Sequence, residues 1–272
     1  MEQKLIAIDL DGTLLREDCT ISGRNREAVC RAMEAGHIVV PCTGRSYRNA
    51  LFVLRDFPTF PFYLNANGTT LVRGGTEELL YTGTMPPETG RTICRLSGQY
   101  ETFIEVYHRL TAYDDASGRR LIEKSLCSEE YRIQLLQTNT HLESLDELVL
   151  RPDVRIGKYH IIFAKPDEQK RLRAELEKVP GIAAISTTDF NIEICADGCC
   201  KRTGLRKLCG LLGMDARQVI AMGDSENDLE MLQWAGTGIA MANASKKIKD
   251  SAGFSTASNE EDGVALALER FL

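Results

Sequence analysis

Short apolar runs that stop abruptly at polar turns, each followed by a stretch of helical periodicity, open the chain and return near its end. The first is Leu5–Leu15, LIAIDLDGTLL, whose Leu- and Ile-rich start predicts a strand covered on both faces, as in a central parallel sheet. Ile21-Ser22 then begins a helix: Ser22 is placed to cap it, Ala28, Val29, Ala32 and Met33 share one face, and Gly36 ends it. His37–Pro41 is a second strand, and the succession strand, helix, strand predicts a right-handed parallel crossover. Ser46–Arg55 reads as a helix and Tyr63–Ala66 as a third strand. Thr70–Val72 and Leu79–Thr82, separated by Arg73-Gly74-Gly75 and a charged stretch, predict a hairpin leading off the sheet.

Between Pro86 and Asp189 the pattern changes. Helices are predicted over Pro87–Gln99, Ser128–Leu136, Leu142–Leu150 and Asp167–Lys178, and strands over Thr102–Tyr107, Thr111–Asp114, Val154–Phe163 and Ile182–Thr187. These strands are not followed by the Gly- or Asp-bearing loops that mark the first pattern, which predicts a separate α+β insert. The first pattern resumes near Asn191–Ala196 with a helix over Thr203–Leu212 and a strand over Gln218–Met222. A helix from Leu229, a short strand over Gly238–Met241, and helices over Ser245–Ala252 and Gly263–Leu272 complete it. The expected fold class is α/β: a Rossmann-like parallel-sheet core with helices on both faces, formed by residues 1–84 and 190–272, and an α+β insert over 85–189.

Composition narrows the function without naming it. With 272 residues, 43% hydrophobic and 26% charged, the chain describes an ordinary soluble protein with one large core or two unequal domains. Thirty-three basic against 39 acidic residues leave a net charge of −6, which disfavours a nucleic-acid partner but permits a local basic pocket for an anionic small molecule. No basic region followed by a cleavable apolar segment opens the chain, and no apolar run approaches the roughly 20 residues that span a bilayer. A cytoplasmic protein with no membrane partner, monomeric or a small homo-oligomer, is the expectation. Nine cysteines, an odd number, read as reduced thiols, and Cys195, Cys199 and Cys200 lack the Cys-x-x-Cys spacing of a zinc site.

The candidate chemistry gathers where the strands of the first pattern end. Asp9 and Asp11 follow the opening strand into a turn begun by Gly12, and two carboxylates so close repel unless a cation or a basic side chain neutralises them. Thr43-Gly44-Arg45 follows the second strand. There Thr43 and the amide beside it can donate to a phosphoryl oxygen, or Thr43 simply caps the next helix. Asn65-Ala66-Asn67-Gly68 closes the third strand, where Asn67 contacts substrate or only shapes the turn. Lys201 opens a helix, a placement unfavourable for the dipole unless an anion compensates it. After Gln218–Met222 comes Gly223-Asp224-Ser225-Glu226-Asn227-Asp228, whose three carboxylates call for a cation or a basic partner. Arg109, Arg119, Arg120, Lys158 and Lys165 of the insert face a phosphorylated substrate or, more ordinarily, solvent.

Asp9-Leu10-Asp11-Gly12-Thr13, Thr43-Gly44-Arg45, Lys201 and Gly223–Asp228, in this order and after strands, resemble the haloacid dehalogenase-like hydrolase superfamily. The long insert and Asn227-Asp228-Leu229-Glu230-Met231 resemble its Cof-type phosphatases. Arg202 departs from the glycine usual after the lysine there, which leaves the path of the Lys201 loop open. The resemblance implies a Mg²⁺-dependent phosphatase of small phosphorylated metabolites, sugar phosphates foremost, acting through an aspartyl phosphate. In that scheme Asp9 is the nucleophile and Asp11 the general acid/base. Mg²⁺ is held by Asp9, the main-chain carbonyl of Asp11 and Asp224, while Asp228 binds metal through water or orients Lys201. Thr43, Gly44, Arg45, Lys201 and Asn227 bind substrate, and the insert is a cap that selects the leaving group. Asp11 argues against a dehalogenase, since halide departs without a proton. Phosphomutase-type transfer between sugar positions and a non-catalytic phospho-acceptor or binding module are the alternatives.

Overall fold

A computed structural model describes residues 2–123 and 128–272. In chain order the first elements are β1 (Leu5–Ile8), α1 (Gly23–Glu34), β2 (Ile38–Pro41), α2 (Tyr47–Val53), β3 (Phe62–Asn65), β4 (Thr70–Arg73) and β5 (Glu78–Thr82). Next come α3 (Pro87–Ser97), β6 (Thr102–His108), β7 (Thr111–Asp115), α4 (Ala116–Ile122), α5 (Glu129–Thr138), β8 (Thr140–Leu142) and α6 (Asp146–Val149). β9 (Lys158–Phe163), α7 (Pro166–Leu176), β10 (Ile182–Ile185) and β11 (Asn191–Ala196) follow. The chain ends with α8 (Lys201–Leu212), β12 (Val219–Gly223), α9 (Leu229–Trp234), β13 (Thr237–Ala240), α10 (Lys246–Ser251), β14 (Phe254–Ser255) and α11 (Gly263–Phe271).

These elements form two compact units. The first takes Met1–Arg45, Val53–Tyr81 and Cys200–Leu272 and is built on a parallel sheet of order β14-β13-β12-β1-β2. β1 is central because all four of its residues are buried, so each face needs a cover. Leu5, Ala7 and Val40 meet Leu205, Leu208, Met231, Leu232 and Ile248 of the last helices in one core. Ile6 and Ile8 alternate to the opposite face and are as fully buried. There α1 and α11 pack together, the backbone N–H of Ala265 donating to Asn25 Oδ1 at 2.9 Å. Ser22 caps α1 as expected, its side chain accepting from the Asn25 N–H. β3 touches the parallel sheet through one bridge, Cys42 with Leu64, and its ladder partner is β4 in a three-stranded sheet with β5.

The second unit takes Ser46–Phe52 and Thr82–Cys199. Its sheet has the order β10-β11-β9-β6-β7-β8, antiparallel except between β7 and β8. One face, Ile104, Val106, Tyr159, Ile161, Phe163, Ile192 and Ile194, is an apolar core joined by Ile93, Leu148, Leu172 and Leu176 from the helices.

Several boundaries differ from the sequence reading, each for a physical reason. The return to the first unit lies at Cys200, not at 190, because Asn191–Ala196 pairs antiparallel with both β9 and β10. A strand buried along its whole length reads like a parallel core strand, even with Asn191 and Glu193 in it. Ser46–Phe52 groups with the insert, not with the rest of residues 1–84: the Arg48 N–H donates to Leu110 O and Asn49 Nδ2 to Thr138 Oγ1 at 2.8 Å. The helix expected over Leu142–Leu150 is the single turn Asp146–Val149, because Leu142 is the last residue of β8, which His141 ties to Asp114 of the sheet. Helix α4, capped by Asp115, was not foreseen. Eight cysteines are free thiols; Cys127 lies outside the described residues. Among the described residues no helix is long and apolar enough to cross a membrane.

Candidate active site

The parallel register delivers three polar turns of the first unit to one edge. Asp9 directly follows β1, and its N–H still donates to Met222 O of β12 at 3.0 Å, which fixes the carboxylate beside the central strand pair. β12 in turn ends at Gly223, so Asp224 and Asp228 leave the sheet next to Asp9. Carboxylate oxygens of Asp9, Asp224 and Asp228 all lie within 4.8 Å of one another.

Lys201 enters this cluster as the first residue of α8, with Nζ donating to Asp9 Oδ1 at 2.5 Å and to Asp228 Oδ1 at 2.6 Å. The ammonium is wholly buried. It gets there because α8 begins against the turn after β3: Gly68 has φ +85°, and any side chain on it would run into the Cys200 carbonyl. Asp228 has no idle oxygen, since its Oδ2 accepts from the N–H groups of Asp224 (3.1 Å) and Ser225 (3.0 Å). Its geometry is that of an orienting group for Lys201 and for the loop. Arg202 turns away from this centre to Glu230, 3.0 Å from its carboxylate, and adds no charge beside Asp9.

Electrostatics follow from that packing. Burial first, then the Asp228 charge, pushes the Asp9 carboxyl well above the usual carboxylate range, against the pull of Lys201. The same two causes push Asp224 up to about 7, while hydrogen bonds from Thr13 and Ser225 resist. Burial alone lowers the Lys201 ammonium, but Asp228 and Asp9 outweigh it and hold it above the ordinary lysine value. With all three carboxylates ionised, one ammonium leaves a surplus of two negative charges, which burial opposes and a divalent cation would neutralise. The donors are all oxygen, which suits a hard ion. Gly12, at φ +73°, leaves the space that the Asp224 carboxylate occupies, since a side chain there would collide with it.

Asp11 sits outside the cluster, consistent with a role for its main chain, not its side chain, toward a cation. Its carboxylate is gripped by Arg45, Nε to Oδ2 at 2.8 Å and Nη2 to Oδ1 at 2.6 Å. Thr43 is fully buried, and its hydroxyl accepts from the Arg45 N–H at 3.1 Å, which leaves the hydroxyl proton to donate. Asn227 donates from Nδ2 to Asn67 Oδ1 at 3.2 Å, and its own Oδ1 is buried without a partner. Asn67 itself adopts φ +55° while its N–H donates to Thr43 O, so it ties two of the turns together.

Sequence reasoning gave no role to Thr13 and Asn243. Thr13 Oγ1 donates to Asp224 Oδ1 at 3.1 Å, and Asn243 Nδ2 donates to Gly12 O at 2.8 Å. The signal for Asn243 was available: it follows β13, whose C-terminal end opens on the same edge.

Residues 6–268 match the family model described as haloacid dehalogenase-like hydrolase. The chain belongs to the haloacid dehalogenase-like hydrolase family. It is an enzyme of that family, a phosphatase by kind. Among its relatives is the 5-amino-6-(5-phospho-D-ribitylamino)uracil phosphatase YwtE of Bacillus subtilis, 33% identical over 99% of this chain and 98% of that one. A second protein of that name from the same organism, YitU, is 31% identical over 100% of this chain and 99% of its own length. A solved haloacid dehalogenase-like hydrolase from B. subtilis superposes with a TM-score of 0.87 at 26% identity, covering 99% of this chain and 100% of that one. The family's fold thus accounts for the parallel sheet with its second, separate sheet unit.

Proposed function

We propose that the protein is a Mg²⁺-dependent phosphatase of small phosphorylated metabolites that works through an aspartyl phosphate on Asp9. The observation that carries this reading is the surplus of carboxylates, buried Asp9 and Asp228 with half-buried Asp224, gathered around one lysine at the sheet edge. Asp9, Asp224 and the main chain of Asp11 would hold Mg²⁺, which when bound neutralises charge on the transferring group.

The protein's own residues divide the remaining work. Asp9 attacks phosphorus as the bond from phosphorus to the ester oxygen breaks, and Asp11 gives its proton to the departing alkoxide. Water then attacks the aspartyl phosphate, Asp11 takes the water's proton, and Asp9 is returned with inorganic phosphate. Lys201 keeps Asp9 oriented and balances the oxygens of the transferring group, and Thr43 and Asn227 donate to those oxygens. Asp228 holds Lys201. The second unit, over the insert, selects the organic part of the substrate.

That organic part is a sugar or sugar alcohol, since relatives at 33% and 31% identity are named for a substrate with a phosphorylated ribityl chain. Turnover of a panel of sugar phosphates, phosphorylated sugar alcohols, 5-amino-6-(5-phospho-D-ribitylamino)uracil and nucleotides, with and without Mg²⁺, tests the class. Asp9→Asn should fold and lose at least about 10⁴-fold in turnover on every member of the panel. A purified Asp9→Asn protein that keeps its activity refutes the nucleophile, and activity undiminished by chelation refutes the cation.

A further inference from the structure

The family resemblance places Arg45 among the groups that bind substrate, and in the structure its guanidinium meets the carboxylate of Asp11. Its side chain is 2% exposed and that of Asp11 is 49% exposed, so the pair joins a buried cation to a carboxylate on an open turn. The two bonds are parallel, Nε to Oδ2 and Nη2 to Oδ1, the fork geometry that only arginine offers. The backbone of Arg45 is held as firmly: its N–H donates to Thr43 Oγ1 at 3.1 Å and its carbonyl accepts from the Ala66 N–H at 2.9 Å. A half-exposed carboxylate on a turn would otherwise sample several rotamers and find the reacting oxygen only part of the time.

We infer that Arg45 is a positioning residue that holds Asp11 in the orientation needed for proton transfer. Each carboxylate oxygen has two lone pairs, so one on each stays available for the proton while the guanidinium occupies the other. The inference rests on Asp11 being the general acid/base, and it makes a prediction that substrate binding by Arg45 does not. Loss of the clamp should slow formation of the aspartyl phosphate from a poor leaving group, which needs the Asp11 proton, and spare it from a good one, which does not; hydrolysis of the aspartyl phosphate is common to both.

The experiment compares an alkyl monoester that the wild type hydrolyses with 4-nitrophenyl phosphate. Arg45→Gln should lose about 100-fold or more in kcat/KM on the alkyl ester and less than about tenfold on the aryl ester, because kcat/KM ends at formation of the aspartyl phosphate and leaves out the hydrolysis that both esters share. Arg45→Lys, which keeps the charge but not the fork, should recover only part of the loss. In an Asp11→Asn background Arg45→Gln should add almost nothing, since the clamp then has no proton donor to place. Equal losses in kcat/KM on both esters, a rise in KM shared by both, or additive effects in the double variant would overturn the inference, and thermal melts of each variant identify any that fails to fold. Asp11→Asn alone separates the two claims: if it shows no dependence on leaving group, Asp11 is not the acid. If it shows that dependence and Arg45→Gln does not, only the positioning role falls.

Discussion

Both units bury charge, and they do so under opposite rules. In the second unit the buried ionisable groups meet partners from their own unit: Lys158 lies 2.6 Å from Glu193, and Glu105 accepts from His160 at 2.7 Å and from Asn139 at 2.9 Å. Asp114 is likewise met by His141 at 2.7 Å and Arg119 at 3.5 Å. At the edge of the parallel sheet, by contrast, Asp9, Asp224 and Asp228 share the single ammonium of Lys201. A balanced network is complete as folded, so disturbing it costs stability. An unbalanced one is held together at a cost that a ligand relieves, and relieving it by mutation should gain stability while function is lost.

The sharpest break of that comparison removes one carboxylate from each region. Glu105→Ala removes the acceptor that His160, Asn139 and Tyr107 share in a place 1% exposed, and should lower folding stability by about 2–5 kcal/mol in denaturant titrations. Asp9→Asn should instead leave the cation-free protein as stable as the wild type or more so, because burial and Asp228 already oppose that charge. If both variants lose stability to the same degree, the two regions do not differ in kind.

The contrast also explains what could be read from the sequence. Asp9, Asp224, Asp228 and Lys201 announced themselves because each follows an apolar strand or opens a helix, and chain order alone brings such turns to one sheet edge. Lys158, by comparison, was indistinguishable from a surface lysine: its partner Glu193 lies 35 positions away, and only the pairing of β9 with β11 joins them. The same pairing hid the true end of the insert. Arg45 was legible as a cation at the right edge, but its partner was not, since Asp11 and a phosphate are equally good acceptors for a guanidinium.

A smaller effect sharpens the comparison from the side of the unbalanced cluster. Thr13 donates to Asp224 Oδ1 and supports its orientation without adding charge. Thr13→Ala should weaken Mg²⁺ binding by about 10–100-fold, read from the Mg²⁺ dependence of turnover or from calorimetry, with saturating activity largely restored at high Mg²⁺. Loss of activity that Mg²⁺ does not restore would assign Thr13 to substrate and not to the support of Asp224.

The smallest predicted effect comes from proton competition at Asp224. In the cation-free protein burial and Asp228 hold this carboxyl at about 7, against 3.8 as its ordinary value. Between those two pH values the folded state keeps a proton that the unfolded chain has released, so this contribution to stability is present in acid and is lost as pH rises to about 7. Mg²⁺ needs the ionised form, so its apparent affinity should fall about tenfold for each pH unit below 7 and level off above it. The rise in Tm produced by a fixed Mg²⁺ concentration should therefore grow from acid to neutral pH and then flatten, while Asp224→Asn should lose most of that rise at every pH. A wild-type shift that is the same across this range would mean that Asp224 is already ionised in acid. The cluster would then be balanced by partners of its own, as the insert's charges are.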